Sequence, residues 1–77
     1  MIENFNELVG KELKIMRVEN NITIDELAIK TGVAPSTISY YENNRTEIAL
    51  GKLQQIVSGF DTNLSIFFAR ILAKKHN

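Results

Sequence analysis

Residues 23–43, TIDELAIKTGVAPSTISYYEN, predict two short helices joined by a tight turn. Thr23 and Glu26 have the spacing of a capping box, in which the hydroxyl and the carboxylate each accept a backbone N–H group. Gly32 can supply the positive φ that ends a helix, and Pro35 suits the first position of the next one. These features give the bounds of three segments: a helix at about 24–31, a turn at 32–34 and a helix at about 35–43.

Apolar residues at helical spacing flank this stretch on both sides. They are Phe5, Leu8, Val9, Leu13 and Met16 before it, and Leu50, Leu53, Ile56, Val57, Phe60, Leu64, Phe67, Phe68, Ile71 and Leu72 after it. They predict three further helices: a first at about 3–19, a fourth from residue 50 and a fifth at 64–75. No internal repeat or linker-like stretch interrupts the chain. The sequence therefore predicts an all-α fold, a compact five-helix bundle with a helix-turn-helix, formed by residues 1–77 as a single domain.

Length and composition exclude several classes of protein. The chain has 77 residues, 44% of them apolar, so it suits one small domain of marginal stability, which favours a dimer that adds buried area. There is no cysteine and a single histidine, His76, so we expect no disulfide, no metal site and no cofactor. Glu3 and Glu7 do not suit a signal peptide, and no apolar run approaches about 18 residues. We therefore expect a cytoplasmic protein that does not enter a membrane.

The charge balance argues against a nucleic-acid binder. Nine basic and nine acidic residues give a formal net charge of zero, whereas such proteins usually draw on attraction to phosphates. The charges are separated: Arg70, Lys74 and Lys75 lie near the C-terminus, and Glu3, Glu7 and Glu12 lie near the N-terminus. We interpret Lys74 and Lys75 as solvated residues that favour the helix dipole, so neither cluster marks a DNA-binding face.

The two central helices have the layout of a helix-turn-helix. This element consists of two short helices joined by three or four residues with a glycine at the bend, and it presents its second helix outward. Any small helical bundle contains tight turns, so the spacing alone leaves a DNA-binding element and an ordinary helical hairpin equally open. The identities of the residues decide between them.

The motif residues follow the order and spacing of a known family. They are Leu27-Ala28, Gly32-Val33, Ser36-Thr37-Ile38-Ser39, Tyr41-Glu42-Asn43, Leu50, Leu53 and Ile56. Over about residues 10–68, the chain resembles the Cro/C1-repressor type of helix-turn-helix protein, also called the XRE family, whose fold is lambda-repressor-like. The resemblance implies a third helix that enters the major groove of double-stranded DNA, and dimers that bind two half-sites about one helical turn apart.

The resemblance also implies particular site residues. The base-contacting positions are Pro35, Ser36, Thr37, Ser39 and Tyr40, and the phosphate-contacting positions are Thr23 with Ile24, Asn43, Asn44 and Arg45. Hydroxyl groups donate to and accept from base edges, and a tyrosine can stack or reach a phosphate. Arg17 and Glu42 match an internal ion pair that ties the first helix to the end of the third, which we interpret as structural.

The sequence departs from the family pattern at positions that usually contact DNA. Ile24 stands where a glutamine is common, and Ala34 stands where a serine or threonine is common. The segment 31–44 contains no positive charge, which predicts a shallow dependence of DNA affinity on salt. Either specificity rests on hydroxyl contacts, DNA shape and Arg45, or the scaffold serves protein recognition.

The apolar residues of the predicted fifth helix cover more than one face. Ile66 and Ala69 widen the apolar surface beyond the stripe that a core requires. A helix that is apolar on more than one side usually has two neighbours. We therefore expect part of a two-fold homodimer interface here, formed by Phe67, Ile71 and Leu72.

These observations favour a sequence-specific, DNA-binding transcription regulator that occupies a roughly palindromic operator as a dimer. The alternative is a protein-interaction module of the same fold, an antitoxin or antirepressor, with a protein partner and reduced DNA binding. An enzyme is disfavoured because Ser36, Thr37 and Ser39 have no histidine within reach in the sequence, and His76 lies next to the C-terminus.

Overall fold

The computed structural model describes residues 4–75, and these residues form five helices. In chain order they are α1 (Phe5–Glu19), α2 (Ile24–Thr31), α3 (Pro35–Glu42), α4 (Leu50–Ser58) and α5 (Leu64–Lys75). The order confirms the all-α, five-helix fold. None of the helices described is long and apolar enough to cross a membrane. Glu3, the predicted start of the first helix, and His76 lie outside the described residues, as does the side chain of Lys75.

Local capping interactions set the helix ends. Thr23 Oγ1 accepts the Glu26 N–H at 3.0 Å and Glu26 Oε1 accepts the Thr23 N–H at 2.8 Å, which confirms the capping box of α2. Gly32 ends α2 in the left-handed region, with φ 78°. The start of α1 differs from the prediction by two residues, because the Asn4 side chain caps the helix and accepts the Asn6 N–H at 2.9 Å.

One hydrophobic core joins the five helices. Its buried apolar residues are Val9, Leu13, Met16, Leu27, Ala28, Val33, Ile38, Tyr41, Leu53, Ile56, Val57, Phe67 and Ile71. In this arrangement α1 packs against α3 and α5, α2 packs against α3 and α4, and α4 packs against α5. α3 is therefore held from its inner side by α1 and α2, while its opposite side faces outward.

α1 and α3 approach each other closely at Gly10, which is buried. A Cβ atom at this position would overlap the carbonyl oxygen of Tyr41. That oxygen is a backbone atom of α3 and cannot rotate away as a side chain can. The missing side chain at Gly10 therefore sets the distance between the two helices.

A buried carboxylate joins α1 to α5. Glu12 is only 2% exposed, and its oxygens accept hydrogen bonds from Arg70 Nε at 2.8 Å and from Lys74 Nζ at 2.7 Å. Arg70 also donates from Nη2 to Glu19 Oε1 at 2.9 Å, and its hydrogen bonds to Glu19 and Glu12 raise the pKa of the guanidinium. The Lys74 side chain is 51% exposed, in agreement with a solvated residue, but its ammonium group also helps Arg70 to neutralise this buried carboxylate, a contact that the sequence did not predict.

We predict that Gly10→Ala lowers the free energy of unfolding by roughly 1–3 kcal/mol, the usual cost of inserting a methyl group into a packed core. Urea denaturation measures this change. Gly51→Ala in α4 is the matched control, because a Cβ atom at Gly51 would meet nothing within 4 Å. The control should be neutral or should stabilise by up to about 1 kcal/mol, since alanine favours a helix. Equal effects of the two substitutions would contradict the close approach of α1 and α3.

Candidate nucleic-acid interface

α3 presents a polar, uncharged surface on the side away from the core. Ser36 is exposed, Tyr40 is 49% exposed, and Thr37 and Ser39 are half-buried. The opposite side of the helix enters the core through Ile38. The structure thus brings the four predicted base-reading side chains together on one helix, where they offer four hydroxyl groups, each able to donate and to accept.

The N-terminus of α3 has no side-chain cap. Ala34 occupies the cap position and makes no side-chain hydrogen bond, and Pro35 at the first helical position has no N–H group. The first N–H groups of a helix lack partners within the helix and attract anions. The Thr37 and Ile38 N–H groups both donate to Ala34 O, at 3.0 and 3.2 Å, which leaves the Ser36 N–H without a partner among the described residues. This one group is open to a phosphate, whereas the N-terminus of α2 is closed by its capping box.

Thr23, an expected phosphate contact, is engaged within the protein. Its backbone N–H and its hydroxyl oxygen are both bonded to Glu26, and Asp25 adds a second acidic residue to the same helix turn. The backbone N–H of Thr23, followed by its hydroxyl, lowers the pKa of Glu26. A phosphate would have to displace a carboxylate here, so the structure does not support a contact through the Thr23 backbone.

α4 braces the turn between α2 and α3. Thr31 donates from Oγ1 to Leu27 O at 2.8 Å and accepts the Val33 N–H at 3.3 Å. Gln55 of α4 then donates from Nε2 to Thr31 O at 2.8 Å. Because the turn is bonded to a third helix, the direction in which α3 leaves it is fixed.

The loop between α3 and α4, residues 43–49, contains the other expected phosphate contacts. Asn43 turns its side chain back onto α3 and donates from Nδ2 to Ser39 O at 2.8 Å. Asn44 adopts a left-handed conformation, with φ 56°. Arg45 is exposed and forms no ion pair with any residue between 4 and 75. Its guanidinium is therefore available to an anionic ligand.

Two side chains from neighbouring helices hold this loop. Tyr41 is buried, and its Oη accepts the N–H at the N-cap of α4 at 3.3 Å. Asn6 of α1 donates to Asn44 Oδ1 and Thr46 O and accepts from the Ile48 N–H. Sequence reasoning missed Asn6, because a contact between residues about 40 positions apart leaves no local pattern. Neither residue was expected to have this role.

The expected ion pair between Arg17 and Glu42 is present. Arg17 donates from Nε to Glu42 Oε2 at 2.7 Å and from Nη2 to Glu42 Oε1 at 3.1 Å, and the carboxylate is almost fully buried. The hydrogen bond to Glu42 raises the pKa of Arg17. A third bond, from Arg17 Nη1 to Ile22 O at 3.0 Å, adds the connection between α1 and α2. One guanidinium therefore joins α1, α3 and the start of the helix-turn-helix.

The structure corrects the expected dimer interface on α5. Phe67 is 0% exposed and Ile71 is also buried, so both belong to the core of their own chain and cannot contact a partner. Leu72 is 52% exposed, and Ile66 is exposed as well. Three small residues share this outward side of the helix: Ser65, Ala69 and Ala73. α5 therefore has an exposed apolar surface, but Leu72 and Ile66 form it and Phe67 and Ile71 do not.

An apolar depression lies beside the turn of the helix-turn-helix. Ile29 of α2 is 86% exposed and lines it together with Ala34 and Pro35, and Asp25 borders it. Within residues 4–75, no group of three or more histidine, aspartate or glutamate side chains is placed to bind a metal.

Comparison with known proteins finds the same fold. A family model described as helix-turn-helix, HTH_3, matches residues 13–67, more than half of the chain. The restriction-modification controller protein C.Esp1396I, solved as a tetramer in complex with its natural 35 base-pair operator, superposes with a TM-score of 0.88 at 22% identity, and the match covers 99% of this chain and 100% of that one. The wild-type controller protein gives the same TM-score and identity in a further crystal structure.

A longer protein contains a similar unit. An HTH_3 family transcriptional regulator from Vibrio cholerae matches with a TM-score of 0.79 at 27% identity, over 86% of this chain and 37% of that one. No curated protein matches this chain. The similarity to the controller protein extends over the whole of both chains, whereas the similarity to the Vibrio cholerae regulator concerns about a third of that protein.

We predict that acid weakens the folded state partly through Glu26. Because its pKa is lowered in the folded protein, its contribution to stability is complete above the usual value of 4.5 and is lost as the pH falls through the folded-state pKa. The measurement is the thermal midpoint of wild type and Glu26→Gln between neutral pH and about pH 3. The wild-type midpoint should fall more steeply on acidification, since the glutamine variant has no carboxylate to protonate. The same acid dependence in both proteins would contradict the capping box.

Proposed function

Because this chain belongs to the helix-turn-helix family of the Cro/C1-repressor type, we propose that it is a sequence-specific transcription regulator that places α3 in the major groove of DNA. The observation that carries the proposal is the outward surface of α3. After Pro35 it contains hydrogen-bonding side chains only, while the helix is held in place by α1, by the turn bonded to Gln55 and by the buried Tyr41. A rigid helix with a polar outer face is what base recognition requires.

Hydroxyl groups supply the base contacts in this proposal. Ser36 and Thr37 lie in the first turn of α3, the part of a recognition helix that reaches base edges. Each hydroxyl can donate or accept, and Thr37 adds a methyl group that suits thymine. Tyr40, one turn further along, contacts a phosphate or stacks against the sugar-phosphate backbone. Ser39 is partly engaged, because Asn43 Nδ2 donates to its hydroxyl oxygen at 3.5 Å as well as to its carbonyl oxygen at 2.8 Å.

The phosphate contacts are few. Arg45 is the arginine left for DNA, since the carboxylates of Glu42 and Glu12 hold Arg17 and Arg70. The uncapped N-terminus of α3 supplies a second, uncharged contact. Each cationic phosphate contact contributes about 0.9 to the slope of log affinity against log salt concentration. The affinity of this protein for DNA therefore depends only weakly on salt.

We further propose that the chain acts as a dimer through α5. Leu72 and Ile66 are exposed apolar side chains on the outward side of this helix, and the small residues Ser65, Ala69 and Ala73 between them let a second helix approach closely. A two-fold pair of recognition helices binds two half-sites, so the operator is roughly palindromic. Dimerisation also adds buried area to a core that is small for an independent domain.

A second candidate function is that of a protein-interaction module, an antitoxin or antirepressor. The observation in its favour is Ile29, whose side chain is 86% exposed beside Ala34 and Pro35. A large apolar side chain in this position suits a protein partner better than it suits DNA. The acidic residues Asp25 and Glu26 on the same helix also disfavour a nearby phosphate.

The DNA-binding proposal is tested by selection of duplexes from a random pool, followed by affinity measurements at several salt concentrations. We predict one enriched, roughly palindromic sequence. Arg45→Ala should weaken binding to all sequences and reduce the salt slope by about 0.9 per protomer. Thr37→Val should lower affinity for the selected duplex by roughly fivefold, the effect of about one lost hydrogen bond, without changing non-specific binding.

Lys14→Ala is the matched control for Arg45→Ala. It removes an exposed cation from the outer side of α1, so both the affinity and the salt slope should stay at the wild-type values. Failure to enrich any sequence would contradict the proposal. In that case, loss of partner binding on Ile29→Ser would establish the protein-interaction module instead.

The dimer is tested separately by sedimentation equilibrium of wild type and Leu72→Glu. We predict that the wild type is a dimer and that the variant is a folded monomer, because a carboxylate on the outward side of α5 cannot be buried against a second copy. Glu47→Leu is not expected to change the dimer, since Glu47 lies in the loop after α3. A wild-type monomer, or a Leu72→Glu dimer, would exclude this interface.

A further inference from the structure

We propose that Asn6, which lies in α1 outside the helix-turn-helix, is a positioning residue for DNA binding: it holds loop 43–49 so that Arg45 reaches a phosphate. The inference rests on the proposed function and extends the DNA-binding machinery to the start of the chain. Asn6 and the loop border a polar cleft lined by Asn4, Asn44, Arg45 and Thr46.

The side-chain amide of Asn6 is fully used by the loop. Its Nδ2 donates one hydrogen to Asn44 Oδ1 at 2.9 Å and the other to Thr46 O at 3.0 Å. Its Oδ1 accepts the Ile48 N–H at 2.8 Å. Asparagine has a short side chain with two N–H donors and an oxygen acceptor. Aspartate lacks the donors, and glutamine is longer by one methylene group. The three bonds therefore require this residue type.

Arg45 lies between the two loop residues to which Asn6 donates. Its own backbone N–H donates to Tyr40 O at 2.9 Å. The backbone of Arg45 is thus fixed on both sides and from α3, although its side chain is exposed and makes no ion pair with the residues that the structure describes. Fixing the base of a long side chain lowers the entropy that is lost when its guanidinium binds a phosphate.

The middle of the loop depends on this support. α3 bonds to the N–H groups of Asn44, Arg45 and Ala49, whereas Thr46 O and the Ile48 N–H bond to Asn6. Asn44 is in the left-handed region, at φ 56°, a conformation that asparagine adopts more readily than most residues but that still costs some free energy. The hydrogen bond from Asn6 to the Asn44 side chain offsets part of this cost. Asn6 in turn lies in the first turn of α1, where the cap Asn4 accepts its backbone N–H at 2.9 Å. The backbone of Asn6 is therefore held by the capped N-terminus of α1.

The test is a double-mutant cycle on affinity for the selected duplex, with Asn6→Ala, Arg45→Ala and the double variant, each measured at several salt concentrations. We expect Asn6→Ala to weaken binding by roughly threefold to tenfold, the range of coupling between residues that share a network. Its salt slope should shift toward that of Arg45→Ala. The double variant should bind no more weakly than Arg45→Ala, because Asn6 acts through Arg45. A merely structural role for Asn6 would not produce this coupling.

Asn20→Ala is the matched control, since Asn20 caps the opposite end of α1, where its side chain donates to Met16 O at 2.7 Å and makes no hydrogen bond to the loop. It should lower the thermal midpoint and leave the salt slope unchanged. Faster hydrogen exchange of the Ile48 amide in Asn6→Ala, with protection in α1 retained, shows that the variant is folded and that the loop is released.

Independent effects of the two substitutions, or wild-type binding by Asn6→Ala, would overturn the inference and leave the proposed function intact. Wild-type binding by Arg45→Ala would overturn both the phosphate contact and the role of Asn6. Failure to select any duplex contradicts the proposed function itself, so the two failures are distinguishable.

Discussion

Gly10 lets α1 approach the backbone of α3, and Arg17 bonds α1 to the carboxylate of Glu42 at the end of the same helix. Both contacts are made to the last two residues of α3, Tyr41 and Glu42, from points two helical turns apart on α1, so they fix the C-terminal end of α3. With α3 packed against α1 in this way, Ile38 lies in the core and Ser36 lies at the surface. An ion pair of this kind adds little net stability, since burial of the charges costs about as much as their attraction returns. Its effect is geometric: it sets the orientation in which α3 meets a ligand.

The ion pairs show which arginine remains for DNA in a protein with formal net charge zero. Arg17, Arg70 and Lys74 neutralise carboxylates within the fold, so they contribute little to the field outside it. Arg45 is left in the loop that follows α3. In the proposed function, recognition then rests on hydroxyl groups and on preorganisation, and long-range attraction to phosphates has a small part. Such a protein loses little affinity at high salt, but it also searches DNA with weak non-specific binding.

The sequence predicted the features that local chemistry decides. The bounds of α2 and α3 follow from Thr23, Glu26 and Gly32, whose effects reach only a few residues along the chain. Contacts between distant residues were not predictable from local patterns, and the Arg17–Glu42 pair was expected only from the family resemblance. Glu12 and Lys74 are 62 positions apart, and nothing near either residue indicates that they meet. For α5, the apolar pattern shows that the helix has a buried side, but not which of its apolar residues the other four helices cover. Phe67 was therefore predicted to lie in a dimer interface, although the core of its own chain buries it. Leu72 and Ile66 are the exposed apolar residues of α5 that a partner could contact.

The central claim is that α3 reads DNA through an uncharged surface supported by loop 43–49. An NMR titration of the isotopically labelled chain with the selected duplex tests it most directly, because every backbone amide reports on its own surroundings. The account predicts the largest shift changes in residues 36–40 and in the amides of Asn44 and Arg45, with the outer side of α1 unaffected. Largest changes around Ile29 or on α1, with the amides of α3 unchanged, would contradict it.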